Sequence, residues 1–241
     1  MKISIITPSL NQGNYIKDCI ESVINQNYNN FEHIIIDGDS DDNTFEVINN
    51  YNHLRVVREK DSGPASAINK GFKLASGEIV AWLNADDYYD SNVLEKINSV
   101  FEENPKVEFV YGNLTFVNEK KNILFRDKSK SFSYDSLINK SPDIRQPSSF
   151  YKTDLIKKVK YLDEDLKIVF DYDLFIKMAK ISEPFYTDEN ISFYRDYPDT
   201  ITRKNVRKQA LEIWKVSMRH GGKLISPITK LVLYRLIKGV L

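Results

Sequence analysis

Two adjacent aspartates, Asp86 and Asp87, follow a run of mostly apolar, β-prone residues at 78–83. The run predicts a buried strand, with Asn84 and the two carboxylates at its C-terminal end. Carboxylate oxygens are hard ligands, so the pair is suited to a divalent cation such as Mg²⁺ or Mn²⁺. The alternative is that the aspartates cap a helix that begins near Ser91. Capping explains one acid and leaves the second without a role, so we favour metal binding.

Strands and helices alternate in the pattern of the N-terminal part of the chain. This alternation predicts a parallel sheet that is covered by helices on both faces. Ligands bind such sheets at the carboxyl edge of the strands. Asp37 and three polar loops are expected at that edge. The predicted strands are 2–7, 33–36, 54–57 and 78–83, and the loops are 7–11, 61–64 and 84–87.

The pattern changes beyond residue 106. Short β-prone runs at 107–111, 114–117 and 123–126 are joined by short links, which predicts hairpins and therefore a mixed sheet. Weak periodicity over 127–146 predicts a mobile, partly helical segment over the site. A strand at 148–151, a helix at 171–181 and a last strand at 191–194 complete the predicted domain.

The composition is that of a globular protein, with 41% hydrophobic and 28% charged residues, which argues against disordered and fibrous classes. A single cysteine, Cys19, cannot form an internal disulfide, which indicates a reducing compartment. Residues 1–20 lack the long apolar segment of a signal peptide, and no window of 18 apolar residues predicts a membrane-spanning helix. The histidines His33, His53 and His220 lack metal-like spacing and are expected to be structural or surface residues.

The charge of the chain is divided unevenly. Residues 203–241 contain ten basic residues and one acid, a net charge of +9, so the rest of the chain carries −9. At 100° per residue, the segment 227–241 predicts a basic amphipathic helix. It would either lie in an anionic membrane interface or pack on the body. Lys230, Arg235 and Lys238 form its basic arc, and the opposite arc contains Val232, Leu233, Leu236, Ile237 and Val240.

Three segments together resemble the inverting glycosyltransferase family 2 with the GT-A fold. They are SIITPSLNQGNYIKDCIESVINQNYNNFEHIIIDGDSDDNT, DSGPASAINKGFKLASGEIVAWLNADD and FDYDLFIKMA. The resemblance covers residues 2–200, and it is specific because several motifs occur in the order that the family has.

The resemblance implies a site for a nucleoside-diphosphate sugar. Asp37 would accept a hydrogen bond from N3–H of a uracil or thymine, because a carboxylate accepts and cannot donate. The alternative is that Asp37 caps the following turn. Other nucleotide-sugar-binding residues implied by the family are Thr7, Pro8, Ser9, Asp61, Ser62, Gly63, Asn84 and Asp86.

The same resemblance implies roles in catalysis. Asp87 would bind the metal that bridges the diphosphate, and Asp86 would hold the ribose or share the metal. Asp171 or Asp173 could serve chemically as the general base that takes the acceptor proton. The family pattern selects Asp171 and leaves Asp173 as an acid of the first helical turn. Relatives usually have Glu before the base, whereas this chain has Phe170.

Four further residues are candidates for contact with the acceptor or the diphosphate. Gln146 precedes PSSFYK, where relatives often have a polar residue that faces the acceptor; the alternative is an ordinary loop residue. The family often has an Arg followed two residues later by a His, and Tyr197 stands at the position of that His. Any diphosphate contact that the His would make must therefore be made here by Tyr197 or Arg203. Arg195 is the Arg of that pattern.

The sequence therefore predicts an α/β protein with a mixed, mainly parallel GT-A (Rossmann-like) sheet over 1–200 and a basic helical extension over 201–241. It predicts metal-dependent inverting transfer of a hexosyl or N-acetylhexosaminyl group, from a UDP-sugar by preference, to a glycan or lipid-linked acceptor in surface polysaccharide biosynthesis. The expected location is cytoplasmic, with peripheral contact at the inner face of the membrane, and no nucleic-acid partner is expected. The alternatives are an inactive nucleotide-sugar-binding or scaffold protein, or a nucleotidyltransferase, although the loop TPSLNQGNY lacks a Gly-rich, basic phosphate site.

Overall fold

The computed structural model describes residues 1–129, 132–141 and 145–239. The strands are β1 (Ile3–Ser9), β2 (Phe31–Asp37), β3 (Leu54–Arg58), β4 (Ile79–Trp82), β5 (Tyr88–Tyr89), β6 (Phe109–Val117), β7 (Ile123–Asp127), β8 (Ser149–Lys152) and β9 (Phe185–Arg195). Within the described ranges they form one sheet of order β3-β2-β1-β4-β8-β6-β9-β5, with β7 paired to β6.

The sheet is mixed and mainly parallel, as predicted. Strands β1 to β4 run parallel, β8 is antiparallel to β4 and β6, and β6 and β9 are again parallel. Consequently the C-terminal ends of β1, β2, β4, β6 and β9 meet at one edge of the sheet. The register places Ser9 beside Asp37 at this edge.

Helices cover both faces of the sheet. They are α1 (Ile16–Ile24), α2 (Thr44–Ile48), α3 (Pro64–Leu74), α4 (Val93–Glu103), α5 (Tyr134–Asn139), α6 (Thr153–Lys158), α7 (Phe170–Ala179), α8 (Ile201–Lys204), α9 (Val206–Arg219) and α10 (Pro227–Lys238). Alternate strand residues face opposite sides, so Ile6 and Trp82 pack with α3 and α7 while Ile5 and Ala81 pack with α1 and α4.

The predicted hairpin between 107–111 and 114–117 is wrong, because both runs belong to the continuous strand β6. Gly112 and the following polar residue gave the pattern of a break. In the structure Gly112 lies against β9, where a Cβ would be 2.5 Å from Cγ1 of Ile191. Glycine is therefore required by the close approach of two strands, and the true hairpin is the one between β6 and β7.

The segment 127–146 is helical in part, as expected. Its helix α5 begins with a capping box of Ser133 and Ser136, and Leu137 is buried in the main core. The described part is therefore packed on the body. Residues 130–131 and 142–144 lie outside the described residues, so the prediction of a mobile cover over the site stays a prediction.

The C-terminal extension packs on the sheet domain. Ala210 and Ile213 of α9 and Ile228 and Val232 of α10 belong to the same apolar cluster as Trp82. The division at residue 200 stays a prediction, and the two parts share one core. In the part of the chain that the structure describes, no helix is long and apolar enough to cross a bilayer.

The predicted arcs of α10 are wrong in detail. Arg235 turns inward, where its Nη1 donates to Oε1 of Gln209 at 3.2 Å, while Leu233 and Ile237 are exposed. The difference arises because α10 packs against α9 along a face that the helical wheel alone does not identify. Val240 lies outside the described residues.

Candidate active site

The first half of the site is formed where β1 and β2 end. The backbone N–H of Gly38 donates to the carbonyl of Ser9 at 2.8 Å. A Cβ on Gly38 would lie 2.9 Å from Oδ2 of Asp61, so the loop after β3 approaches this point closely. The structure therefore brings Ser9, Asp37 and Asp61 together, as predicted for a parallel sheet edge.

Asp37 is fully buried and organises the turn that follows it. Its carboxylate accepts from the backbone N–H of Ser40 at 3.1 Å and from the Ser40 hydroxyl at 2.5 Å. Arg58 Nε lies 3.5 Å from the same carboxylate. The turn role that the sequence offered as an alternative is therefore present, and recognition of a base by Asp37 stays a prediction.

The end of β1 corrects one prediction. The Thr7 hydroxyl shares a 2.9 Å hydrogen bond with Nε2 of His33, and the side chain is fully buried. Thr7 therefore points into the core beneath α1, because alternate residues of a strand face opposite sides. Pro8 is half-buried, and the buried Ser9 hydroxyl has no hydrogen-bond partner among the described residues.

The loop after β3 leads directly into α3. Oδ1 of Asp61 accepts from the backbone N–H of Gly63 at 2.8 Å, and Ser62 is exposed. Asp61 thus shapes the loop, while the Ser62 hydroxyl is accessible to a ligand.

Asp86 and Asp87 lie at the carboxyl end of β4 in different surroundings. Asp87 is fully buried; it accepts from the backbone N–H of Arg195 at 3.0 Å and from Nδ2 of Asn84 at 3.3 Å. Asp86 is half-buried, and its Oδ2 accepts from the Tyr197 hydroxyl at 3.0 Å. Asp86 is therefore the more accessible of the two carboxylates.

Burial raises the pKa of both aspartates. The pKa of Asp87 is well above the ordinary range because the side chain is buried and because the Asp86 charge is close. Burial also raises the pKa of Asp86, although the Tyr197 hydrogen bond opposes the change. A divalent cation would relieve this repulsion between buried carboxylates.

Helix capping does not explain these two carboxylates. Helix α4 begins at Val93, and its first N–H groups, those of Val93 and Leu94, donate to Oε1 of Gln26 at 2.7 and 3.2 Å. The capping group therefore comes from the end of α1, and Asp86 and Asp87 are free of that role.

The two carboxylates have the donor chemistry that Mg²⁺ or Mn²⁺ prefers. No group of three His, Cys, Asp or Glu side chains that could hold a metal occurs in residues 1–129, 132–141 and 145–239. A metal at Asp86 and Asp87 would therefore take its other ligands from substrate phosphate and water, which is common for Mg²⁺. The residues fit a substrate-bridging metal better than a permanent structural one.

Arg195 braces this loop from within the protein. Its guanidinium donates to the carbonyls of Asp86 and Glu119, both at 2.9 Å, and to Oδ2 of Asp18 at 2.8 Å. It also stacks over the Tyr15 ring, 4.6 Å from the centroid. Because the side chain is only 2% exposed, this geometry does not support the predicted direct contact of Arg195 with acceptor or diphosphate.

Tyr197 covers Asp86 from the segment after β9. Its ring lies 5.2 Å from that of Tyr15, whose hydroxyl donates to Glu119 at 2.9 Å. Burial, followed by the nearby Asp86 charge, raises the pKa of Tyr197, so its hydroxyl remains a donor. Arg203 pairs through two nitrogens with Asp196 at 2.5 Å and leaves its side chain half-exposed.

Gln146 supports the loop after β4. Its Nε2 donates to the carbonyl of Trp82 at 2.6 Å, and its Oε1 accepts from Nδ2 of Asn84 at 3.3 Å. Both ends of the amide are thus used by β4 and its loop. Gln146 therefore positions Asn84 in this structure, and direct contact with an acceptor is not supported.

Asp171 and Asp173 have different environments at the start of α7. Burial raises the pKa of Asp171 to about 6, and its carboxylate accepts from the adjacent backbone N–H of Tyr172 at 2.8 Å. Burial alone would raise the pKa of Asp173 too, but His220 at 2.8 Å and Lys177 at 3.1 Å lower it. Asp171 has the properties of a base, while Asp173 ties α7 to the C-terminal extension.

The sequence did not identify Asp18, Glu119 or Gln26 as parts of this site. Asp18 pairs with Arg195, which is 177 residues away, and with Lys121 at 2.7 Å. No local spacing could reveal these contacts. The acid in the first turn of α1 was visible, but it has the pattern of an ordinary helix-terminal charge.

The chain is similar to known proteins over most of its length. A family model described as Glycosyl transferase family 2 matches residues 4–176. An uncharacterized glycosyltransferase of Rickettsia typhi is 29% identical over 222 residues, or 88% of this chain and 70% of the relative. The UDP-Glc:alpha-D-GlcNAc-diphosphoundecaprenol beta-1,3-glucosyltransferase WfgD of Escherichia coli is 37% identical over 119 residues, or 48% of this chain and 47% of the relative. A Rickettsia conorii relative is covered over 33% of its length, so the chain spans from a third to 70% of these proteins.

Solved structures confirm the predicted fold class. TarS 1-349 of S. aureus in complex with UDP-GlcNAc has a TM-score of 0.74 at 19% identity, over 98% of this chain and 72% of that one. The mannosyltransferase PcManGT of Pyrobaculum calidifontis, in complex with GDP-Man and Mn²⁺, has a TM-score of 0.70 at 17% identity, over 97% and 68%. The fold is the GT-A type of α/β architecture.

Proposed function

The chain belongs to glycosyltransferase family 2, and from this premise we propose that it transfers a sugar from a UDP-sugar to a hydroxyl group with inversion at the anomeric carbon. The acceptor is a glycan or a lipid-linked glycan of a surface polysaccharide. The proposal requires three separate tasks: holding the nucleotide, neutralising the leaving diphosphate and taking the acceptor proton.

The observation that carries the proposal is the pair Asp86–Asp87. Two neighbouring carboxylates with raised pKa values lie at a sheet edge where neither caps a helix. Asp86 and Asp87 would hold Mg²⁺ or Mn²⁺, which neutralises charge on the departing nucleoside diphosphate. Arg195 fixes the loop beneath them through the Asp86 carbonyl and its own N–H to Asp87.

Nucleotide binding falls to the ends of β1, β2 and β3. The Ser9 hydroxyl is buried and has no hydrogen-bond partner among the described residues, and Ser62 is exposed in the neighbouring loop. Asp37 would accept a hydrogen bond from N3–H of uracil in addition to the one that it accepts from the Ser40 hydroxyl, since each carboxylate oxygen has two lone pairs.

Asp171 is the proposed general base. Its pKa of about 6 keeps it largely ionised at neutral pH, yet far more basic than an exposed aspartate. Its carboxylate accepts a hydrogen bond from the Tyr172 backbone N–H, which orients it. It would take the proton of the acceptor hydroxyl as that oxygen attacks the anomeric carbon.

The acceptor class is proposed from the named relatives. WfgD is, by its name, a glucosyltransferase with a UDP-Glc donor and a diphosphoundecaprenol-linked acceptor. A lipid-linked acceptor would require this chain to work at the inner face of the cytoplasmic membrane, as a peripheral protein.

A panel of nucleotide sugars, with and without Mn²⁺, tests the proposal. Release of nucleoside diphosphate from one UDP-sugar, dependent on Mn²⁺, is expected. Asp87→Ala and Asp171→Asn should abolish acceptor-dependent release, whereas Asp154→Asn, which removes an exposed carboxylate of α6, should not. Formation of UTP and sugar 1-phosphate from a UDP-sugar and added pyrophosphate would indicate a nucleotidyltransferase, and binding without turnover would indicate an inactive binding protein.

A further inference from the structure

Three of the ten basic residues of the C-terminal extension form a first group that is paired with carboxylates. Arg203 lies 2.5 Å from Asp196, and Arg219 lies 2.6 Å from Asp163. Lys204 is likewise paired with Asp199 at 2.9 Å. Carboxylates outside the extension therefore neutralise part of its positive charge.

Six others are exposed and form no salt bridge within the described ranges: Arg207, Lys208 and Lys215 on α9, and Lys223, Lys230 and Lys238 nearer the C-terminus. The last three are the second group. They lie in the last segment of the described chain, on and just before α10. The acidic body therefore leaves this part of the positive charge unneutralised.

Large apolar side chains are exposed between these lysines. Leu224 and Ile225 are 70% and 89% exposed before α10, and Leu233 and Ile237 are 54% and 74% exposed on it. On the opposite side of the helix, Ile228 and Val232 are buried in the core, so the packing of α10 is already satisfied. The exposed residues are thus not needed for docking the helix onto the body.

The spacing places the exposed residues of α10 on one face. Lys230, Leu233, Tyr234, Ile237 and Lys238 follow i, i+3, i+4, i+7 and i+8. Together with the preceding Lys223–Ile225 segment they form what is called here the outer face of α10. It combines apolar residues with cations that have long, flexible stems.

We propose that the outer face of α10 docks onto an anionic lipid bilayer. Leu233 and Ile237 would enter the boundary between headgroups and acyl chains, and the lysines would contact lipid phosphates. A second copy of this chain fits less well, because self-association through this face would oppose lysine to lysine. The inference rests on the proposed function in one respect: the outer face of α10 would hold the protein at the membrane that contains a lipid-linked acceptor.

Vesicle sedimentation of the full chain tests this surface. The protein should sediment with phosphatidylcholine vesicles that contain about 30% phosphatidylglycerol, and not with pure phosphatidylcholine vesicles, because each lysine gains about 1 kcal/mol near an anionic surface. Lys230→Glu/Lys238→Glu should weaken binding more than about tenfold. Leu233→Ser/Ile237→Ser should weaken it while retaining the salt dependence.

Matched controls are available on the body. Lys106→Glu/Lys180→Glu makes the same change in net charge, and Ile181→Ser removes a side chain that is 54% exposed, like Leu233. These variants should bind vesicles as the unchanged protein does. Thermal unfolding measured by circular dichroism verifies that every variant is folded.

Three outcomes would overturn the proposal. The first is that the protein does not bind anionic vesicles at low salt. The second is that the body control variants lose vesicle binding as much as the outer-face variants do. The third is that the protein does not bind vesicles but forms a dimer, and that Leu233→Ser/Ile237→Ser converts this dimer to monomers. Nucleoside-diphosphate release with a water-soluble acceptor should be the same for the outer-face variants and the unchanged protein. If neither the unchanged protein nor the variants release nucleoside diphosphate, the proposed function is refuted. Membrane binding is then judged from the vesicle result alone.

Discussion

Asp87 accepts a hydrogen bond from the backbone of Arg195, 108 residues along the chain, whereas Asp171 accepts one from its neighbour Tyr172. The proposed metal site is therefore assembled by distant segments, and the proposed base is set by local burial. Substitutions at several distant positions should therefore weaken the proposed metal site, whereas a substitution of Asp171 should change the proposed base with little effect on the other site residues.

The largest expected effect separates the two regions. Asp171→Asn should lower kcat by about 10²- to 10⁴-fold, because it removes the proton acceptor, and should leave UDP affinity unchanged. Single-turnover kinetics and calorimetric UDP binding measure the two quantities. Near-normal kcat in a folded Asp171→Asn variant would exclude Asp171 as the base.

Bracing of the metal site is expected to have the next largest effect. Arg195→Lys retains the charge but loses the planar fork that reaches Asp86, Glu119 and Asp18. The affinity for Mn²⁺ should fall about 10- to 100-fold, with KM for the donor rising more than kcat falls. Arg55→Lys is the matched control, because Arg55 lies on β3 and its Nη1 donates to the carbonyl of Leu74. Equal effects of both variants would contradict a positioning role.

The pH dependence of activity tests whether the raised pKa of Asp171 governs catalysis. Asp171 must be ionised to act, so kcat/KM should fall about tenfold per pH unit below its pKa of about 6. The pH profile with saturating Mn²⁺ measures this, and a profile that stays flat down to pH 4.5 would be incompatible with it.

The same pKa predicts an effect on stability. The pKa of Asp171 is raised from 3.8 to about 6 in the folded protein, so the folded state binds more protons and loses stability as the pH rises through this interval. Asp171→Asn should therefore raise the free energy of unfolding by about 1–2 kcal/mol at pH 7 and by much less at pH 4. Urea unfolding at the two pH values measures it, and equal changes at both would show another cause.

The smallest effect is expected at the cover of the metal site. Tyr197→Phe removes the hydroxyl that donates to Asp86, so the affinity for Mn²⁺ should fall about three- to tenfold. Tyr15→Phe removes a hydroxyl bonded to Glu119 and should change the affinity less. Manganese titrations compare the two, and the reverse order would place the support of Asp86 elsewhere.

The sequence predicted well those features that short-range patterns determine. Apolar runs before Asp37 and Asp87 identified buried parallel strands, and parallel strands necessarily bring their ends to one edge. Thr7 was misplaced because the side-chain direction at a strand end depends on register, and its hydroxyl is bonded to His33 in the core.

Long-range contacts account for the rest. Gln26 caps α4 from the end of α1, and Asp18 pairs with Arg195, although nothing local to either residue shows this. Packing against α9 likewise determines that Arg235 turns inward and Leu233 outward. Such choices depend on which elements become neighbours, which a single-sequence pattern does not contain.

The most direct measurement is the dependence of UDP binding on metal, by isothermal titration calorimetry of the unchanged protein and of Asp87→Ala. If the pair Asp86–Asp87 holds the cation that bridges the diphosphate, UDP should bind tightly with Mn²⁺, weakly without it, and weakly to Asp87→Ala in both conditions. Asp154→Ala should behave as the unchanged protein does. Equal UDP affinity with and without Mn²⁺, in a folded protein that still transfers sugar, would contradict the metal site.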